Sequence, residues 1–461
     1  MKNLPYILIL SLLCHTTVFA GDALDPDFDT WPLAANNWLQ VNDFEHTHVI
    51  TSSILYDYIN LTYVATHQTF YDAKGDFTVY DRAAYIYGRR TPIDTSFIQL
   101  DNFGNKQLMM TGSGYYFIHL GKDKSTPHRF IVQMYDGVFN IYSRDVDTKL
   151  SKKILAQLKQ YLVPKNIYKN SIIEFKSSRV GFMQNTASFN YKWDDLILDA
   201  DLKRNSIENT HDYLLNFPIY KAMNIKPKKG VLLQGPPGTG KSFLGQILIS
   251  NVLKGKLKKK SSFVYLSARH LSNSYMIKKL FKVSKELSPT TIFMEDLDLV
   301  GVRSRSGEKK AVYDQVVLNE FLNGLDGLVE SDGVLTIATT NNADSLDPAL
   351  IRSGRLGLHI TYGLPKFTIR SKFFERFGKK GAVWEKGISV EWLSSESEGF
   401  SGADIIEAID LAKQFAYEDD SKNADESKLL LTKFYFSEAF RIIAENQGRK
   451  SFTLALSNLF N

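Results

Sequence analysis

Gly235-Pro236-Pro237-Gly238-Thr239-Gly240-Lys241-Ser242 lies between the apolar run Val231 to Gln234 and a stretch that carries Leu244, Ile247 and Leu248 at helical spacing. Nothing else in the chain restricts its fold as strongly. A short buried strand that turns through glycines straight into a helix needs a sheet covered on both faces, which is the α/β class. The glycines let the backbone curl so that successive N–H groups point at one phosphate, and the N-terminus of the helix adds partial positive charge. Lys241 then reaches the outer phosphates, and the Ser242 hydroxyl can ligate magnesium. All eight residues are assigned to a nucleoside triphosphate, with ATP and Mg2+ as the expected ligands.

Two further strand ends supply chemistry. Thr291-Ile292-Phe293-Met294 runs into Glu295-Asp296, with Asp298 just beyond. Acids after an apolar strand are commonly an ordinary exit to a loop. Beside a P-loop, however, one carboxylate can hold the magnesium shell while the other orients water for attack on the γ-phosphate. Glu295 is read as the magnesium-side acid and Asp296 as the water-side acid. Val334 to Ala338 leads to Thr339-Thr340-Asn341, where an amide at a strand tip can hydrogen-bond water or the γ-phosphate. Arg352 and Arg355 follow Leu346-Asp347-Pro348-Ala349-Leu350-Ile351. Such arginines taken singly are mostly solvated; here they are candidates to supply charge to a triphosphate, in their own copy or in a neighbour.

Five short apolar runs, Val231 to Gln234, Ser262 to Leu266, Thr291 to Met294, Val334 to Ala338 and Leu358 to Tyr362, predict a parallel five-stranded sheet in an α/β P-loop NTPase core over 193–365. Beyond Pro365 the strand signal fades and helical spacing takes over, which predicts a C-terminal helical lid over 366–445 and a tail over 446–461. Ahead of the core, aromatic and β-branched residues alternate with polar ones, predicting a β-rich α+β domain over 21–170 and a connector over 171–192 that opens with a strand-like piece, Ser171 to Phe175. Its strongest turn is Asp136-Gly137, between Arg129 to Tyr135 and Val138 to Arg144, because Asp-Gly supplies the positive φ that a tight hairpin requires. A second hairpin is expected at Gly112-Ser113-Gly114. Asp147 is expected to cap a closing helix whose apolar side is Leu150, Ile154, Leu155, Leu158 and Leu162.

Lys2, the apolar run Leu4 to Leu13 and Val18-Phe19-Ala20 before Gly21 read as a signal peptide or membrane anchor over 1–20. The apolar core falls short of the roughly 20 residues a span needs, which favours cleavage. This reading makes the protein secreted or membrane-associated, in a compartment that contains ATP. Composition excludes several classes. Hydrophobic residues at 44% and charged residues at 23% argue against a disordered, collagen-like or multi-span chain. A net charge of +6 is too mild to argue for nucleic acid or anionic lipid. The single cysteine, Cys14, rules out an internal disulfide and a thiolate zinc cluster.

From Trp193 to about Ala444, over half of the chain, the motifs together resemble the AAA ATPase module. Trp193-Asp194-Asp195-Leu196 is similar to its entry motif, and Lys226-Pro227-Lys228-Lys229-Gly230-Val231-Leu232-Leu233 to its lead into Walker A. Glu295-Asp296 stands where Walker B does, Asn341 at sensor 1, and Arg352 and Arg355 at the arginine fingers. Gly399-Phe400-Ser401-Gly402-Ala403-Asp404 matches the sensor 2 helix. The resemblance implies ATP hydrolysis by a homo-oligomeric ring, a hexamer or heptamer, in which each arginine pair acts on the neighbouring subunit's nucleotide. More narrowly, Glu295-Asp296 in place of Asp-Glu, Leu322-Asn323-Gly324-Leu325-Asp326-Gly327 and Thr339-Thr340-Asn341 resemble the mitochondrial inner-membrane chaperones that insert the Rieske iron-sulfur subunit into respiratory complex III. Gly399 to Asp404 is closer to the general AAA pattern, and the leader looks cleavable where that subgroup retains a span.

Two departures bear on mechanism. Asp296 is one methylene shorter than the more common glutamate. The segment Ser267 to Phe281 is shorter than its counterpart in threading AAA proteins and lacks their aromatic-apolar-Gly pore loop. Tyr275-Met276 is read as a helix-start pair packed in the core rather than as a substitute grip. The basic runs Lys254 to Lys260 and Arg303 to Lys310 read as solvated loops, and His46 and His48 lack a further metal ligand nearby. Tyr115, Tyr116, Phe117, Tyr135 and Tyr142 read as sheet core rather than a base-stacking platform. The expected function is an ATP-hydrolysing ring that remodels or translocates a protein client contacted by the β-rich domain. The alternatives are a nucleic-acid-dependent motor or loader, and a nucleotide-binding scaffold with little turnover.

Overall fold

The computed structural model describes residues 39, 48–52, 77–86, 89–91, 95–99, 107–111, 114–120, 128–135, 138–162, 166–176, 179–183, 186–224, 228–254, 261–271, 273–299, 308–327, 333–420 and 429–448. The expected leader over 1–20, residues 255–260 and 300–307 and those from 449 onward lie outside these residues. Backbone packing groups the chain into two compact units, one from 1–188, 258–266 and 272–291, the other from 189–257, 267–271 and 292–461.

In the first unit the alternating aromatic and β-branched runs pair into a six-stranded antiparallel sheet. Its order is His48–Ser52, Val138–Ser143, Arg129–Tyr135, Gly114–Leu120, Phe77–Ile86, Arg89–Thr91. Tyr135 stands opposite Val138, the register of a two-residue turn at Asp136-Gly137, although those two residues lie outside the described ones. Residues 112 and 113 of the hairpin expected at Gly112-Ser113-Gly114 lie outside the described ones, and the described strands on either side take other partners. Gly114–Leu120 has both edges taken by Arg129–Tyr135 and Phe77–Ile86, and Gln107–Thr111 pairs instead with Thr95–Gln99. Tyr116 and Phe117 are buried, and Tyr115 and Tyr142 meet through Gln133, whose Nε2 donates to Tyr115 at 2.9 Å and whose Oε1 accepts from Tyr142 at 2.6 Å. These aromatics are sheet core, as expected.

The closing helix is Thr148–Leu162, with Ile154 buried. Asp147 does not cap it: its buried carboxylate accepts from Arg144 Nε at 3.0 Å and meets His128 Nδ1 at 2.5 Å, so ion pairing takes up the oxygens a cap would use. Ile172–Lys176 is a strand, parallel to Ser262–Ser267 and antiparallel to Arg179–Phe182. Ile172–Lys176 and Arg179–Phe182 are therefore strands beyond the five expected runs, and the second is antiparallel, so the strands here are not all parallel: the piece at 171–175 pairs with a run far along the chain. Asn273 caps the helix Ser274–Glu286 by accepting from Met276 N at 2.9 Å. Met276 is buried, but Tyr275 is 47% exposed, so only one of the pair packs in the core.

In the second unit Lys228–Gln234 runs parallel to Val334–Thr340 on one side and to Leu358–Thr361 on the other. Thr290–Glu295 follows beyond Val334–Thr340. The C-terminal ends of these strands share one edge, where ligands of open α/β sheets bind. After Pro365 come the helices Phe367–Phe373, Val390–Glu396, Gly402–Asp420 and Lys433–Asn446, with a π-helical turn Phe374–Gly378. Their core gathers Phe374, Leu393, Phe400, Ile405, Ile409, Phe436 and Phe440. The region is not purely helical: Ala382–Trp384 and Leu429–Leu431 form a parallel pair, each too short to show a periodicity. Among the described residues no helix is long and apolar enough to cross a membrane.

Candidate nucleotide-binding site

The loop that leaves Lys228–Gln234 takes its shape from positive φ angles at Gly235 (144°), Gly238 (74°) and Gly240 (100°). At two of these a side chain has no room. A Cβ on Gly235 would stand 2.0 Å from the Tyr362 carbonyl oxygen, and one on Gly238 would stand 2.4 Å from Ser401 Oγ. The helix Lys241–Leu253 starts directly after, so its first free N–H groups open toward the loop. Lys241 is buried, and its Nζ donates to the carbonyls of Gly235 at 2.6 Å and Pro236 at 2.7 Å. Burial pushes its ammonium below the usual lysine range, while Asp296 and Asp298 pull it back.

The acids sit at the next strand ends. Asp296 has φ +56°, a left-handed conformation uncommon for a residue with a side chain, and its N–H donates to Thr339 Oγ1 at 3.1 Å. Burial, then the charges of Glu295 and Asp298, push its carboxyl above the usual aspartate range, against Lys241 and Arg269. Asp298 accepts from Thr340 Oγ1 at 2.9 Å and from the Asn341 N–H at 3.3 Å. Two consecutive threonines thus stitch the acid loop to the strand that ends in Asn341.

A cavity of about 740 Å³ brings together Pro237, Gly238, Thr239, Gly240, Lys241, Ser242, Asp296, Thr339 and Asn341. That is the volume of a small-ligand site. Glu295 ends its strand half-buried and is not among the lining residues, so of the acid pair it is Asp296 that faces the cavity. Arg352 and Arg355 do not line it either. Arg352 is exposed, whereas Arg355 donates through Nε to Asp326 Oδ1 at 3.0 Å, through Nη2 to Asp326 Oδ2 at 2.6 Å and through Nη1 to the Ala349 carbonyl at 2.7 Å. These bonds raise its already high pKa.

The chemistry fits a magnesium triphosphate. Curled amides, a buried lysine and a hydroxyl at a helix start suit phosphate oxygens. Besides phosphate and water, magnesium needs only one or two protein oxygens, which the Ser242 hydroxyl and a carboxylate of the acid loop would supply.

Residues 231–364 match the model of the ATPase family associated with various cellular activities (AAA). That stretch holds the glycine loop, the acids and Asn341, and it is similar to an AAA ATPase domain. Over 269 residues it is 31% identical to a cell division cycle protein 48 homolog of Archaeoglobus fulgidus, a stretch covering 55% of this chain and 35% of that protein. Over 202 residues it is 36% identical to the proteasome-activating nucleotidase of Saccharolobus solfataricus, covering 42% of this chain and 49% of the relative. The ATP-dependent zinc metalloprotease FtsH of Mesomycoplasma conjunctivae is 34% identical over 231 residues, covering 48% and 29%. The matched stretch spans less than half the length of each of these relatives.

The site also contains residues that motif reading did not assign. Leu196, Ile197, Leu198 and Leu202 form one apolar wall, and Leu364, Ile369, Phe373, Phe377 and Ile406 form another. The only signal for the second wall was the four-residue spacing of Phe373 and Phe377, which equally suits a helix core. The segment Gly399 to Asp404 closes over the loop. Ala403 N donates to the Gly238 carbonyl at 3.1 Å, and Ser401 and Asp404 cap the helix reciprocally, at 2.7 Å and 3.3 Å.

Proposed function

We propose that the protein hydrolyses ATP as a homo-oligomeric ring and uses the cycle to remodel a protein client. The observation that carries this reading is one cavity in which a buried lysine, an acid with a raised pKa and a strand-tip asparagine meet a glycine loop at one end and apolar walls at the other. The apolar half takes the adenine, and the amides of Gly238 to Ser242 hold the phosphates. Lys241 exchanges the Gly235 and Pro236 carbonyls for outer phosphate oxygens. Ser242 would hold magnesium together with the acid loop, Asp296, the acid of the pair that faces the cavity, would accept the proton of the attacking water, and Asn341 would orient that water; Glu295, expected on the magnesium, does not line the cavity.

Arg352 is exposed and away from its own cavity, the position of a group that acts on a neighbour's nucleotide. The relatives' names, proteasome-activating nucleotidase and ATP-dependent metalloprotease, support a protein client over a nucleic acid. Contact with that client through the β-rich unit, a ring of six or seven, attachment to a membrane through residues 1–20 and a client of the Rieske type remain parts of this proposal at finer grain.

Steady-state phosphate release tests it. Wild-type protein should turn over ATP with Mg2+, and Lys241→Ala should lose at least about a hundredfold. Added nucleic acid should leave the rate flat, and mixing in Arg352→Ala subunits should poison wild-type turnover more than in proportion. Absence of turnover in a purified oligomer would favour the scaffold reading.

A further inference from the structure

One wall of the cavity comes from the entry segment around Asp195 to Leu198, the other from the first turns of the helical region after Pro365. Among the described residues two side chains cross between them: Lys366 Nζ lies 4.0 Å from Asp199 Oδ2, with both side chains largely exposed, and Arg376 makes the closer tie. Arg376 sits in the π-helical turn Phe374–Gly378, next to Phe377, which lines the cavity, and its Cζ lies 5.6 Å from the Phe377 ring centroid. Its guanidinium donates through Nη1 to the Asp194 carbonyl at 2.6 Å and through Nη2 to Asp195 Oδ1. The other Asp195 oxygen accepts the Lys192 N–H at 2.7 Å, which locks the carboxylate in place. With its own backbone donor and a guanidinium on it, Asp195 stays charged to lower pH than an ordinary aspartate.

We infer that Arg376 is a positioning residue for nucleotide affinity: by tying the helical region to Asp194 and Asp195, it sets the width of the apolar slot that receives the base. The inference rests on the ATP-site reading and adds a determinant that no motif contains. Arg376 touches neither the glycine loop nor the acids, so its contribution falls on binding and not on the chemical step. A pi-turn at this place has a local purpose, since the extra residue per turn brings Arg376 and Phe377 to the same rim. The charge pair alone would be weak, with side chains 39% and 26% exposed. The backbone carbonyl as second acceptor and the fork geometry of arginine make it a directional tie.

The test is equilibrium binding of a fluorescent ADP analogue together with steady-state ATPase rates, on the full chain, for wild type, Arg376→Ala, Arg376→Lys, Asp195→Asn and the double variant. Arg376→Ala should raise the dissociation constant and KM about threefold to tenfold and leave kcat within about twofold. Arg376→Lys should recover part of the loss, since an ammonium can meet one of the two oxygens. Asp195→Asn, which keeps the Lys192 bond, should weaken binding less than Arg376→Ala, and the two changes should combine less than additively. An unchanged dissociation constant in Arg376→Ala, a fall in kcat with KM unchanged, or full additivity in the double variant would overturn the inference while leaving the ATP site standing. Wild-type protein that binds no nucleotide would overturn both.

Discussion

Asp296 combines an uncommon backbone conformation with a carboxyl whose pKa is raised by burial and by Glu295 and Asp298. The native state therefore holds this proton more tightly than the unfolded chain does. The stability it contributes is full below the ordinary aspartate range and is lost as pH rises through the raised native pKa. On the proposed mechanism turnover needs the carboxylate, so the acid limb of kcat should lie above the usual aspartate range, which a pH–rate profile reads directly. Asp296→Asn should abolish turnover and raise the neutral-pH melting temperature by about 1–3 °C, because it removes a desolvated charge among like charges. Gly238→Ala has the opposite balance. It meets both a left-handed φ and a Ser401 oxygen 2.4 Å from the new methyl, so it should cost at least about 1–2 kcal/mol in denaturant unfolding and weaken nucleotide binding as the cap over the loop is pushed off.

Among the elements, the helical region depends on one aromatic. Phe440 packs edge-on to Phe374 and Phe400, at 6.2 Å and 5.8 Å between ring centroids, and also against Phe436. Phe440→Ala should destabilise by about 3–5 kcal/mol, visible as a loss of cooperative unfolding in that region. Arg355 has an element-level duty too. Its bidentate bond to Asp326 fastens the segment after Leu350 to the end of the helix Glu308–Gly327. Arg355→Ala should therefore lower the melting temperature as well as turnover, whereas Arg352→Ala should lower turnover alone. Scanning calorimetry beside an ATPase assay separates the two arginines, which look equivalent as motif residues.

For the whole molecule, the proposed ring with a finger supplied by a neighbour predicts that turnover per protomer rises with protein concentration until rings are filled. Sedimentation and ATPase rate should share one midpoint. The same scale shows what could be read before folding. The glycine loop, Asp296, Asn341 and the pairing of 129–135 with 138–143 were legible because each depends on a few neighbouring residues: a φ angle only glycine tolerates cheaply, a charge at a strand end, or a short turn between two alternating runs. Pairings that depend on a distant partner were not legible. Gly114–Leu120 takes its two neighbours from 77–86 and 129–135, and Ile172–Lys176 pairs with 262–267. Asp147 is drawn to His128 and Arg144 instead of to its own helix. The sequence by itself determined that a phosphate-binding turn had to sit between a strand and a helix, because local sterics and backbone dipoles leave that segment no other stable form. Only the tertiary structure decided which acid faces the cavity, that Arg355 is bound to Asp326 while Arg352 is exposed, and that Arg376 spans the slot. Those outcomes depend on contacts between residues far apart in the chain, whose energies no local pattern encodes.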